Sequence, residues 1–209
     1  MTAPGQHNFT VLSSSDVYVG RIVALRSDRV AMPGGGEATR EVVEHHGAVA
    51  IVALDDDDQV TLIHQYRHPL ARRIWELPAG LIDHLGENPV ETAKRELVEE
   101  VGLAAAHWSV LVDVAVSPGF TDEVVRVFLA TGLSVVDREL LGEEEADLVA
   151  RKFPLAEAVR MALAGEIVNG AAVGGILAAH VTRTSGASPR PADAPWDDQP
   201  TRFPSRKQE

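Results

Sequence analysis

Glu96, Glu99 and Glu100 stand at i, i+3 and i+4 within Pro89 to Val101. On a helix this spacing crowds three carboxylates into one turn, beside the end of the dipole that favours cations. Each like-charged pair at i, i+4 costs roughly 0.2 to 0.5 kcal/mol, so something must compensate. Arg95 faces Glu99 at i+4 and neutralises one carboxylate as an ion pair. A hard cation such as Mg²⁺, which takes oxygen ligands, accounts for the others. From the helix alone both readings stand. A second acidic run, Glu143-Glu144-Glu145-Ala146-Asp147, is a solvated loop taken in isolation. Beside a metal site it becomes a source of a general base.

The helix that presents the first cluster has its ends written in its residues. Asn88 caps it, Pro89 suits the first position, Glu91 stands where a capping box needs it, and Gly102 follows the last turn. Val90, Ala93, Leu97 and Val101 form its apolar stripe. Helical periodicity recurs in Leu155 to Ala164 and Gly170 to Arg183. Strands are expected at Val17 to Val23, Ala24 to Met32, Thr39 to Val43, Gly47 to Leu54, Val60 to Tyr66, Ile74 to Leu77, Trp108 to Val116 and Val124 to Ala130. Pro33-Gly34-Gly35-Gly36 reads as a hairpin turn and Asp55 to Asp58 as a charged hairpin tip, since neither a phosphate loop's helix and lysine nor EF-hand spacing follows. Strands interleaved with helices imply an α/β fold with a sheet covered on two faces. Beyond Thr184 five of the 12 prolines cluster, which predicts an extended or disordered tail over 184–209.

Gly80, Glu87, Arg95, Glu96, Leu97, Glu99, Glu100, Gly102 and Leu103 together resemble the Nudix box, G-x5-E-x7-R-E-U-x-E-E-x-G-U with U apolar. Six residues rather than five separate Gly80 from Glu87, an insertion that lengthens the loop ahead of the helix without rotating any helical carboxylate. By composition such a match arises by chance on the order of once in a few million chains. The resemblance implies an α/β/α sandwich with a mixed sheet, and a hydrolase of nucleoside diphosphates linked to another moiety. It implies Mg²⁺ or Mn²⁺ as cofactor, with two or more ions per site. It makes Glu96 and Glu100 the main metal ligands with Glu99 close by, adds the carbonyl of Ala79, and has Arg95 orient a glutamate. It also implies a catalytic base in a loop at the second acidic run, Glu145 first and Glu144 second.

Within that family the chain resembles the actinobacterial ADP-ribose pyrophosphatases. Pro118 stands sixteen residues beyond the box's final glycine, Trp75-Glu76-Leu77-Pro78-Ala79-Gly80 enters the box as a strand, and short strands precede residue 46. The resemblance implies three parts: a small N-terminal antiparallel β subdomain over 1–46 that pairs two subunits, a hydrolase domain over 47–183, and the tail. It implies ADP-ribose as substrate, split to AMP and ribose 5-phosphate by a homodimer. Arg40 and Glu41 are implied contacts to the adenine end from the partner subunit, and Arg67 a diphosphate contact. A surface position for Arg40 and an ion-pair role for Arg67 are the alternatives from the residues alone. GDP-mannose or other ADP-sugars remain alternative substrates, and an ADP-ribose sensor with the same fold is the alternative that involves no catalysis.

Composition bounds the rest. With 209 residues, 45% of them hydrophobic, the chain suffices for one domain with a small appended one. Its formal charge of -12 argues against nucleic acid as partner. The absence of cysteine excludes disulfides and a thiolate site. The longest apolar runs are too short to span a membrane, and Met1 to Thr10 is polar, so no membrane partner and a cytoplasmic location are expected. No lysine precedes Ser or Thr and no G-x-S-x-G occurs, which sets aside P-loop and serine-hydrolase chemistry.

Overall fold

The computed structural model describes residues 5–83, 86–137 and 147–206. The chain divides into two units, Met1–Gly47 with Ala115–Glu123 and Asp198–Glu209, and Ala48–Val114 with Val124–Asp197.

The first unit is built on three antiparallel strands in the order β1-β2-β3: β1 (Val11–Val19), β2 (Val23–Ala31) and β3 (Glu37–His45). The strand expected from Val17 to Val23 spans a turn instead. Gly20 closes that turn by donating its N–H to the Val23 carbonyl at 2.9 Å, and β1 begins six residues earlier. Gly34 and Gly35 take φ of 95° and 90°, the left-handed region a glycine turn supplies, between β2 and β3. Every residue of β1 is exposed, Val11, Leu12, Val17, Tyr18 and Val19 included.

The tail departs from expectation. Helix α4 (Arg202–Ser205) packs Phe203, 1% exposed, edge-on against the His46 ring at 4.6 Å. The Nε of Arg202 and of Arg206 reach Glu44 at 2.8 and 2.5 Å, and Arg26 reaches it from β2. Proline density misleads here because the segment is ordered by one aromatic and two arginines, not by backbone periodicity. Glu44, fully buried, would be a costly lone charge, and Arg206 and Arg26 hold its carboxyl below the usual range despite burial.

The second unit holds two sheets. β10 (Val149–Pro154), β5 (Gln59–Arg67) and β6 (Arg72–Glu76) form one, in that order and antiparallel. The other runs β11 (Arg190–Pro191), β8 (Leu103–Ala115), β9 (Val124–Val135), β4 (Ala48–Ala53), β7 (Ala79–Leu81). It is mixed, since β4 is parallel to β9 and antiparallel to β7. Alternation along β4 explains its unbroken apolar run. Ala48, Ala50 and Val52 join one core with residues of α2 (Leu155–Leu163) and α3 (Gly170–Ser185), while Val49, Ile51 and Ala53 join another with Val90, Ala93 and Leu97 of α1 (Pro89–Val101). Successive strand residues point to opposite faces, so a helix layer covers each side. A strand buried on both faces has no polar position to spare.

Two further differences bear on the site. The expected strand Trp75 to Gly80 is two strands in different sheets, β6 and β7, separated by Leu77-Pro78. Proline has no N–H for a ladder, though its carbonyl accepts from Ile51 N–H at 2.8 Å. Residues 190–197 of the tail belong to this unit. Arg126, buried on β9, pairs with Asp113, donates to the carbonyls of Ala194 and Pro195, and stacks on Trp196.

Candidate active site

Helix α1 spans the predicted residues. The Asn88 side chain accepts from Val90 N–H at 3.1 Å, and Gly102, at φ 65°, returns its N–H to the Val98 carbonyl. The reciprocal half of the capping box does not form. Glu91 takes the ammonium of Lys94 at 2.7 Å, a charge-assisted partner on the same face.

With Val90, Ala93 and Leu97 facing the core, the next face of α1 lies along β7. There Glu100, only 6% exposed, accepts the Ala79 N–H at 2.8 Å. Glu96 packs on Gly80 so closely that a Cβ at that position would overlap its carboxyl group. The first glycine of the motif is therefore a cradle for a carboxylate. Arg95 Nη1 bridges Glu96 and Glu99 at 2.7 and 3.0 Å, and Nη2 lies 3.7 Å from Glu87. Glu87 also accepts from the Thr92 hydroxyl at 3.0 Å. Arg95 thus engages more acids than the i+4 spacing alone suggests.

The electrostatics follow from burial. Loss of hydration pushes Glu96 up to about 7, with Arg95 opposing the rise and Glu99 and Asp83 adding to it. Glu100 rises to about 8, again chiefly by burial; the Ala79 N–H and Arg67 oppose it, while Glu96 and Glu76 add to it. Two carboxyls that resist ionisation, held against a strand backbone, are short of positive charge.

The donor set is all oxygen, which suits a hard divalent cation. Among the described residues no three His, Asp or Glu side chains already stand in a metal-binding cluster. Glu96 is turned to Arg95 and Glu100 to Ala79, so both must leave or share these partners to take a metal.

The other expected site residues fall as follows. Ala79 adjoins the box helix through Glu100. Arg67, at the end of β5, grips Glu76 with Nε and Nη2 at 2.8 and 2.5 Å. Arg40 and Glu41 are exposed on β3, and Pro118 lies in an exposed turn in which Phe120 N–H meets the Ser117 carbonyl; all three belong to the first unit. Glu144 and Glu145 lie outside the described residues. The contacts of Glu87 and the burial of Glu76 went unassigned in the sequence, although Glu87 is a motif position.

A model of the NUDIX domain matches residues 44–171, and a model of the nucleoside diphosphate sugar hydrolase N-terminal domain matches residues 9–43. The chain is 55% identical over 204 residues to an ADP-ribose pyrophosphatase of Mycobacterium tuberculosis (strain ATCC 25618 / H37Rv), covering 98% of this chain and 99% of that protein. It is 35% identical over 156 residues to an ADP-ribose pyrophosphatase of Bacillus subtilis (strain 168), covering 75% and 84%. A crystal structure described as that of an ADP compounds hydrolase aligns with a TM-score of 0.75 at 22% identity, over 88% of this chain and 99% of that one. That likeness shows the expected fold.

Proposed function

The chain belongs to the Nudix family, and from that premise we propose that it hydrolyses the diphosphate bond of ADP-ribose, giving AMP and ribose 5-phosphate. The observation that carries the reading is the pair of carboxyls, the buried Glu100 and the half-buried Glu96, packed on Ala79 and Gly80. The near full-length similarity to a protein named ADP-ribose pyrophosphatase supports the choice of substrate.

A diphosphate adds negative charge to a site already rich in acids, so its binding needs cations. Mg²⁺ or Mn²⁺, two or more ions, would supply Lewis acidity and an activated water when bound. Glu96 and Glu100 would hold them, with Glu99 and the Ala79 carbonyl completing the set. Arg95, bridging Glu96 and Glu99, keeps both carboxylates in place and moderates their repulsion. Glu145, or Glu144 beside it, would take the proton from the attacking water. Arg67, a half-exposed cation next to Glu100, would meet the diphosphate, while Arg40, Glu41 and Pro118 would contact the rest of the substrate.

The functional unit is a homodimer in this reading. Nine exposed residues of β1, five of them large and apolar, form an edge strand that a second copy would cover. No helix of the described residues is long and apolar enough to cross a membrane, and the cysteine-free acidic chain suits the cytoplasm.

A second reading, another nucleoside diphosphate sugar as substrate, is favoured by the description of the model matching residues 9–43. Incubation with ADP-ribose, GDP-mannose and diadenosine polyphosphates at millimolar Mg²⁺, with products resolved by chromatography, separates the two. Nucleoside monophosphate should come fastest from ADP-ribose, as AMP rather than the GMP that GDP-mannose gives, and no AMP from ADP-ribose would end the assignment.

A further inference from the structure

Glu76 occupies an expensive position. It is 2% exposed, and its charge adds to the repulsion that Glu100 already experiences. For stability alone, an apolar residue would serve as well or better, since a buried ion pair often only breaks even against well-packed hydrophobic side chains. Something other than stability should keep it.

Its contacts indicate what. β5 and β6 pair Ile63 with Glu76 and Arg67 with Arg72, so by strand alternation Arg67 and Glu76 share one face of their sheet. Both Glu76 oxygens are taken by Arg67, through Nε at 2.8 Å and Nη2 at 2.5 Å. That fork fixes the guanidinium plane, while 42% of the Arg67 side chain still faces solvent. Three residues beyond Glu76, across the Leu77-Pro78 corner, Ala79 gives its N–H to Glu100. The grip on Arg67 is thus anchored in the same short segment that seats a candidate metal ligand.

We propose that Glu76 is a positioning residue, which holds the Arg67 guanidinium ready for the substrate's diphosphate beside the Glu96–Glu100 site. The role rests on the diphosphate-hydrolase reading above. An unrestrained arginine would lose side-chain entropy each time it bound an anion, and Glu76 has imposed that loss in advance. Only a planar fork accepts this grip. A lysine at position 67 would keep the charge and lose the orientation.

The test is steady-state kinetics with ADP-ribose at saturating Mg²⁺ on wild type, E76Q, R67A, R67K and the R67A/E76Q double variant, with thermal melts alongside. E76Q and R67K should each raise KM about tenfold or more, the loss expected for an interaction between charged groups. The double variant should be no worse than R67A, because Glu76 aids the diphosphate only through Arg67. R67K at wild-type KM, or E76Q and R67A effects that multiply in the double variant, would overturn the proposal. Should E76Q fail to fold, R67K decides alone, since Arg67 is partly exposed. An inert wild type would instead refute the hydrolase reading. Calorimetric titration of the same variants with Mg²⁺ and inorganic pyrophosphate then tests the grip apart from turnover, with unchanged pyrophosphate affinity in R67K counting against it.

Discussion

Glu100→Gln should make the metal-free protein more stable at alkaline pH while abolishing its response to Mg²⁺. The glutamine oxygen can still accept the Ala79 N–H, so the substitution removes charge and little else. Glu100 is raised from 4.5 to about 8 in the folded chain. A carboxyl raised on folding contributes its stability below the unfolded value, and that contribution is lost as pH rises through the folded one. At 1.36 kcal/mol per unit, the ionisable side chain costs the folded state about 3 kcal/mol by pH 7 and between about 4 and 5 kcal/mol by pH 9. Near pH 5 the difference from the glutamine variant shrinks below about 1 kcal/mol. Urea denaturation of both proteins in EDTA, at steps from about pH 5 to 9, reads this as a widening gap between midpoints. Mg²⁺ at pH 8 should then raise the wild-type midpoint, because the ion favours the ionised carboxylates, and leave that of E100Q nearly unchanged. A glutamine variant less stable than wild type at pH 9 without metal, or a gap that does not change with pH, would refute the reasoning.

Gly80→Ala places a methyl group in the Glu96 carboxyl; kcat should fall at least about tenfold while circular dichroism stays that of the wild type, since the side chain can swing out at modest cost. Phe203→Ala should destabilise the first unit by about 3 to 5 kcal/mol in denaturant titration, the usual loss for a fully buried aromatic. Deleting residues 198–209 should cost more, because Glu44 then keeps Arg26 and loses Arg202 and Arg206. Light scattering at micromolar concentration should give a dimer mass, and Tyr18→Lys, on the exposed β1, should shift it toward monomer.

The parts of the molecule visible from sequence were those governed by local rules. Asn88, Pro89 and Gly102 mark the ends of α1 because capping is a matter of neighbouring residues, and the apolar run of β4 announces a strand buried on both faces. The box spacing marked out the acids of α1, but not where their partners would be. That Gly80 is a cradle for Glu96, and that Glu76 rather than solvent holds Arg67, depends on how β7 and β6 are placed by the corner at Pro78. The tail escaped for a similar reason. Its order comes from Phe203, Arg202 and Arg126, whose partners lie far away in sequence, and no local periodicity records them. Ion pairs at long separation leave no pattern in a single chain.

The central claim is that the carboxyls seated on β7 bind divalent metal for attack on a diphosphate. It is tested most directly by following ADP-ribose by chromatography with wild type, E96Q and E100Q, each in Mg²⁺ and in EDTA. AMP and ribose 5-phosphate should appear in equal amounts with wild type in Mg²⁺, fall by orders of magnitude in both variants, and vanish in EDTA. Turnover that persists in EDTA, or wild-type rates in either variant, would contradict it.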